Sequence, residues 1–74
     1  MGERIRRMTA REVESLLRAH DFVLVSQKGS HRKWRNERRR LQVIVPEHRG
    51  RTLPLGTLVA ILKGSEIPES EWRA

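Results

Sequence analysis

Residues 22–46 read FVLVSQKGSHRKWRNERRRLQVIVP, and this stretch decides the fold. Phe22 to Val25 is aromatic and β-branched, the composition of a strand. Lys28-Gly29-Ser30 is a turn signal. His31 to Asn36 is a second strand, unusual in its charge, and Asn36-Glu37-Arg38 marks a second turn. Leu41 to Val45 is a third strand, ended by Pro46, which has no N–H to give to a ladder. Three strands joined by short turns predict an antiparallel meander.

Helical patterns flank it. Thr9-Ala10-Arg11-Glu12 has the form of a capping box, and Val13, Leu16 and Leu17 then fall at i, i+3 and i+4. This predicts a helix over residues 9–20, broken at Asp21 in a left-handed conformation. Beyond the meander, His48 to Thr52 reads as a loop. Pro54 suits the first turn of a helix, and Leu55, Leu58, Val59 and Leu62 make one stripe. The second helix is expected over residues 54–63, with Gly64 as its stop. Residues 65–72 are expected to add a short helical turn that folds Trp72 back onto the core. Each helix has a single apolar stripe, so each needs a sheet face to cover. The expected fold is therefore α+β: a two-layer α-β-β-β-α domain with both helices on one face of a three-stranded antiparallel sheet. The other face stays open and carries the basic side chains of the second strand. Residues 1–8 read as a basic N-terminal arm and 9–74 as a single domain.

The chain has 74 residues, no cysteine and a net charge of +7. A domain this small buries about 60% of its unfolded surface, so an active site belongs on a surface or in a shallow groove. Without cysteine there are no disulfides, thiolate metal sites or cysteine nucleophiles, which fits a cytoplasmic location. The longest apolar run, Leu58 to Leu62, is far short of a membrane span, and the charged first eight residues do not read as a signal peptide. From Lys28 to Arg40 seven cations face one acid, Glu37. That exceeds what solubility needs and points to a polyanion such as RNA, or to an acidic partner. A membrane-surface role is least favoured, because no helix pairs a basic face with apolar anchors.

Few residues can carry chemistry. His20, His31 and His48 show no metal spacing and no companion carboxylates, so neither metal nor cofactor is expected. No phosphate-binding glycine loop of the P-loop type occurs. What remains is Gln27-Lys28-Gly29-Ser30-His31, leading into the basic strand. Histidine as a class titrates near neutral pH and serves as a general base or acid. RNA carries its own nucleophile, the 2′-hydroxyl, so its cleavage needs only a base and cations around the phosphate. Lys28, Arg32 and Arg35 are candidates for the cations, and Gly29 lets backbone approach a phosphate. A lone histidine in a basic strand is more often a phosphate contact than a catalyst, so both readings stand at this point. Ser30 orients His31 or simply shapes the turn. His20 reads as a helix-end residue. Trp34 reads as the apolar anchor of its strand rather than a base-stacking platform.

The ordered motifs resemble the HicA family. Gln27-Lys28-Gly29-Ser30-His31 is similar to its G-S-H segment. Val43-Ile44-Val45-Pro46-Glu47-His48 is similar to its V-P-x-H segment. Leu53-Pro54-Leu55-Gly56-Thr57-Leu58, followed by Ile61-Leu62-Lys63, looks like its second helix. The resemblance implies a double-stranded-RNA-binding-domain-like fold. It implies a toxin of a type II toxin–antitoxin system: a metal-independent endoribonuclease that cleaves mRNA and is held in check by a HicB-type antitoxin. It implies His31 as the catalytic residue, with RNA contacts from Lys28, Gly29, Ser30, Arg32, Lys33, Arg35 and His48. Arg32 and Lys33 depart from the family, many of whose members carry another histidine or an apolar residue there, and Asp21 stands where glycine is common. The alternative is a non-catalytic RNA-binding module of the same fold.

Overall fold

A computed structural model describes residues 5–73. The elements run α1 (Ala10–Ala19), β1 (Val23–Lys28), β2 (His31–Asn36), β3 (Leu41–Pro46), α2 (Leu55–Ser65) and a 3-10 turn at Glu69–Glu71. The three strands form one antiparallel sheet in the order β1-β2-β3. This is the α-β-β-β-α arrangement that the sequence predicts.

Local chemistry fixes the ends of α1. The Thr9 hydroxyl accepts from the Glu12 amide at 3.2 Å, while the Thr9 amide donates to the Glu12 carboxylate at 2.8 Å. That closes the capping box. At the other end Asp21 takes φ 70. Its amide donates to the Arg18 carbonyl, and the Phe22 amide donates to the Leu17 carbonyl. This is a Schellman ending, with Phe22 and Leu17 both buried.

The first hairpin turns on two residues, Gly29 and Ser30, between the paired Lys28 and His31. Gly29 has φ +59, the conformation that a two-residue turn demands at its first position and that only glycine adopts without strain. The second hairpin uses residues 37–40 between Asn36 and Leu41. Asn36 does more than mark that turn. It is buried, donates to the His20 carbonyl at 3.1 Å and accepts from the Arg39 amide at 3.1 Å. One side chain thus ties the hairpin to the end of α1.

Strand alternation sets the two faces. Trp34 and Asn36 on β2 are buried, as are Val43 and Val45 on β3. These face the helices. His31, Lys33 and Arg35 alternate with them and lie on the open face, opposite Pro46, Ile44 and Gln42. Trp34 is 1% exposed, and its indole N–H donates to the Glu14 carboxylate at 2.9 Å. The Arg18 guanidinium lies over the ring, 4.9 Å from its centroid. Trp34 is the anchor of its strand.

Several expectations shift in detail. The open face holds only part of the basic set: Arg32 lies on the helix side, between Glu14 and Glu47 at 3.7 Å from each. β1 is longer than expected, and all six of its residues are exposed, including Val23, Leu24 and Val25. Both helices pack on β3, leaving β1 an overhanging edge, and a bulge between Leu24 and Ser26 kinks it.

In α2 the buried stripe is Leu58, Ile61, Leu62 and Ser65, and Leu55 faces solvent. Gly64 does not stop this helix, which continues to Ser65 and ends at Glu66 in the left-handed conformation. A Cβ on Gly64 would meet Val43 Cγ1 at 3.2 Å, so the glycine lets α2 approach β3 closely. Trp72 does fold back: it is buried, and its indole N–H donates to the Ile67 carbonyl at 2.8 Å.

The basic arm expected over residues 1–8 is not free along its length. Met8 is fully buried, its carbonyl accepts from the Leu53 amide at 2.8 Å, and Ile5 bridges Arg73. Residues 1–4 lie outside the described residues.

Two substitutions test this frame. Asn36→Ala strands the His20 carbonyl and the Arg39 amide, at a cost of about 1–3 kcal/mol. Each kcal/mol lowers the melting temperature by roughly 4–8 °C at this size. An unchanged melting curve contradicts the role given to Asn36. Glu14→Ala leaves the buried Trp34 N–H without an acceptor, whereas Glu14→Gln keeps one. In urea titrations Glu14→Ala is expected to be the less stable by about 1 kcal/mol or more. Equal stability of the two variants refutes the hydrogen bond as a structural tie.

Candidate functional site

The candidate residues gather at one end of the sheet, on two sides of it. At the tip of the first hairpin stand Lys28, Gly29, Ser30 and His31, all exposed. The ladder continues one rung past β3 here, because the Glu47 amide donates to the Ser30 carbonyl at 2.8 Å. That rung holds the 46–48 segment against the turn. Gln27 folds over the same turn, its side-chain amide donating to the Gly29 carbonyl at 3.2 Å.

On the open face, alternation brings Lys28, His31, Lys33 and Arg35 to one side. Among the described residues no ion pair involves Lys28 or Lys33. Arg35 is held by Glu37 at 2.7 Å. Val23 and Ile44 lie on the same face, both about half exposed (56% and 49%). The face is a cationic strip with apolar flanks.

On the helix side, an open groove of about 970 Å³ runs between α1 and the overhanging β1. That is at the upper end of ordinary ligand clefts. Arg11, Glu14 and Arg18 line its α1 wall, while Leu24, Gln27, Arg32 and Trp34 line its sheet wall. Glu47, His48, Arg49 and Gly50 close it at the end where the Ser30 rung lies. Arg32 and His48, grouped with His31 in the sequence reading, are therefore in this groove, and His31 is not among its lining residues.

Sequence reasoning missed Arg11, Arg18 and Arg49. The signal for the first two was present. Arg11, Glu14 and Arg18 follow at i, i+3 and i+7, the polar stripe beside the apolar one on α1. Arg49 had no such signal, because its position depends on how the 46–50 segment leaves the sheet.

The charge in the groove is partly balanced. Glu14 is 5% exposed and committed to Trp34 and Arg32, so it meets little solvent or ligand. His20 is elsewhere: it caps α1 and meets Glu71 at 2.9 Å. Among the described residues, no three His, Asp or Glu converge as a metal site. Likewise no described helix is long and apolar enough to cross a membrane.

A family model described as the HicA toxin of bacterial toxin-antitoxin matches residues 10–67, from the start of α1 past the end of α2. A search of curated proteins found no match. The matched span contains the hairpin tip, the open-face strip and the groove, and membership implies an antitoxin as partner. On this match the chain belongs to the HicA toxin family of bacterial toxin–antitoxin systems.

Proposed function

We propose that the protein is a metal-independent endoribonuclease that cleaves mRNA in the cytoplasm, with His31 as its catalytic residue. The observation that carries this reading is the open-face strip: an exposed histidine with unpaired cations on either side, at the rim of a sheet. The order of helix, meander and helix supports it too, since that is what a double-stranded-RNA-binding-domain-like fold requires.

In this reading the phosphodiester lies across the hairpin tip. His31 takes the proton from a 2′-hydroxyl, and the 2′-oxygen attacks the adjacent phosphorus. A bond forms between that oxygen and phosphorus as the bond from phosphorus to the 5′-oxygen breaks. The leaving oxygen takes a proton from water, to which the exposed tip is open. The products are a 2′,3′-cyclic phosphate and a 5′-hydroxyl. The cation of Lys28 stabilises the extra charge on the phosphoryl oxygens, and Gly29 offers backbone without a side chain in the way. Ser30 shapes the turn that presents His31. Lys33 and Arg35 extend the positive field along the strand and draw the rest of the RNA onto it. Arg32 and His48 contact RNA from the groove side.

A HicB-type antitoxin is the proposed partner. Carboxylates set against Lys28, Lys33 and Arg35 complement this face and shield His31 from RNA.

The test is cleavage of a defined single-stranded RNA in EDTA by wild type and His31→Ala. Wild type is expected to leave 2′,3′-cyclic ends. His31→Ala is expected to lose activity by about a hundredfold or more while still binding. Cleavage that disappears in EDTA rejects the metal-free mechanism. Binding by both proteins with cleavage by neither favours the non-catalytic RNA-binding module. RNA affinity is also expected to fall with salt, by about 0.7 log-log slope units for each phosphate neutralised on a single strand. An affinity indifferent to salt rejects the cationic face as the binding surface.

A further inference from the structure

We propose that the groove between α1 and β1 is a second binding track for the same RNA strand, one that sets affinity and leaves the chemistry to the hairpin tip. The inference rests on RNA being the ligand of this chain, and it adds a site on the side of the sheet away from His31.

Four observations carry it. Arg11 and Arg18 project from one stripe of α1, about 10 Å apart along the helix axis, and both line the groove. Arg49 closes the end, and among the described residues none of these three has a carboxylate partner. The carboxylate nearest the floor, Glu14, is buried and bonded to Trp34, so the solvent side of the groove remains positive. Gln27 and His48 add neutral donors and acceptors on the sheet and loop walls, which suit a base edge.

The location is as informative as the composition. Glu47 and His48 line the groove, and the Glu47 amide is bonded to the carbonyl of Ser30, the residue before His31. The groove therefore ends where the hairpin tip begins. A single strand lying in it leaves at the sheet end and crosses the turn onto the open face. Its phosphates would meet the arginines of α1 first and His31 last. The planar guanidinium groups match phosphate geometry two bonds at a time. An acidic protein segment is the competing occupant of such a groove; RNA is preferred because the groove opens onto the catalytic tip.

The experiment uses the full chain carrying His31→Ala, so that the probe survives, and a short labelled single-stranded RNA followed by fluorescence anisotropy. Arg11→Glu and Arg49→Glu reverse charges in the groove. Arg38→Glu, in the 37–40 turn, and Lys63→Glu, on α2, remove the same net charge elsewhere on the surface. Each groove variant is expected to weaken binding by about tenfold or more and to lower the salt slope by about one. The two remote variants are expected to stay within about threefold of the parent.

Arg11→Gln and Arg49→Gln, with circular dichroism to verify folding, keep the result readable if a reversal unfolds the chain. Equal losses in all four reversals overturn the proposal in favour of a diffuse field. Groove variants that bind like the parent overturn it as well, and leave the groove to an acidic protein. The two proposals fail separately. A chain that binds RNA through the groove and never cuts retains the track and rejects the ribonuclease. A chain that cuts, but whose groove variants bind normally, does the reverse. With His31 restored, groove variants are expected to raise KM at unchanged kcat.

Discussion

The fold depends on burying one tryptophan inside a strand that is otherwise almost wholly cationic. Trp34 sits between Lys33 and Arg35, and only strand alternation lets it point inward while they point out. Its indole brings an N–H that needs an acceptor once water is excluded. Glu14 supplies it from α1, and the same carboxylate faces Arg32. Helix, strand and one cation are thereby linked through a single acidic side chain. Among the described residues no buried polar side-chain atom is left without a partner. In a core this thin, that accounting matters more than in a larger domain.

The elements were legible in the sequence because each carried its own local signal. The capping box, the Asp21 ending and the glycine turn are short-range chemistry, readable from three or four residues at a time. The open-face position of His31, Lys33 and Arg35 also follows from alternation alone. What was not legible depends on contacts between distant segments. Gly64 looked like a helix stop because glycine so often is one, yet it serves the close approach of α2 to Val43. Leu55 fits a helical stripe on spacing but falls outside the arc that meets β3, where Ile61 takes the place. Arg32 seemed one more member of a basic run. Its neighbours on the helix side, Glu14 and Glu47, are 18 and 15 positions away in the chain, beyond any local pattern. The split of the candidate site into tip and groove has the same origin.

The acids of this basic chain are placed selectively. Glu37 holds Arg35, Glu66 holds Arg39 and Glu71 meets His20, each within 3 Å. These pairs tie turns and ends together and contribute little individually at the surface. Lys28 and Lys33 are passed over, and so are Arg11 and Arg49, among the described pairs. A protein selected only for solubility and stability has little reason to leave its unpaired cations clustered at one end of a sheet. Membership in a toxin family gives that end a use and gives an antitoxin something to neutralise.

The overhang of β1 bears on how the molecule moves. A strand bonded along one side, bulged at Val25 and uncovered by either helix belongs to the first part of a domain to open locally. The sheet is then not equally rigid across its width: β3 is clamped beneath both helices, and β1 is fastened only to β2. The Gly29–Ser30 turn joins the loosest strand to the middle one, so the tip that carries His31 sits at the boundary between a breathing edge and a fixed core. Amide exchange follows that boundary, fast along 23–28 and slow along 41–46. A ligand that lies against β1 changes the protection of that edge before it changes anything deeper in the fold.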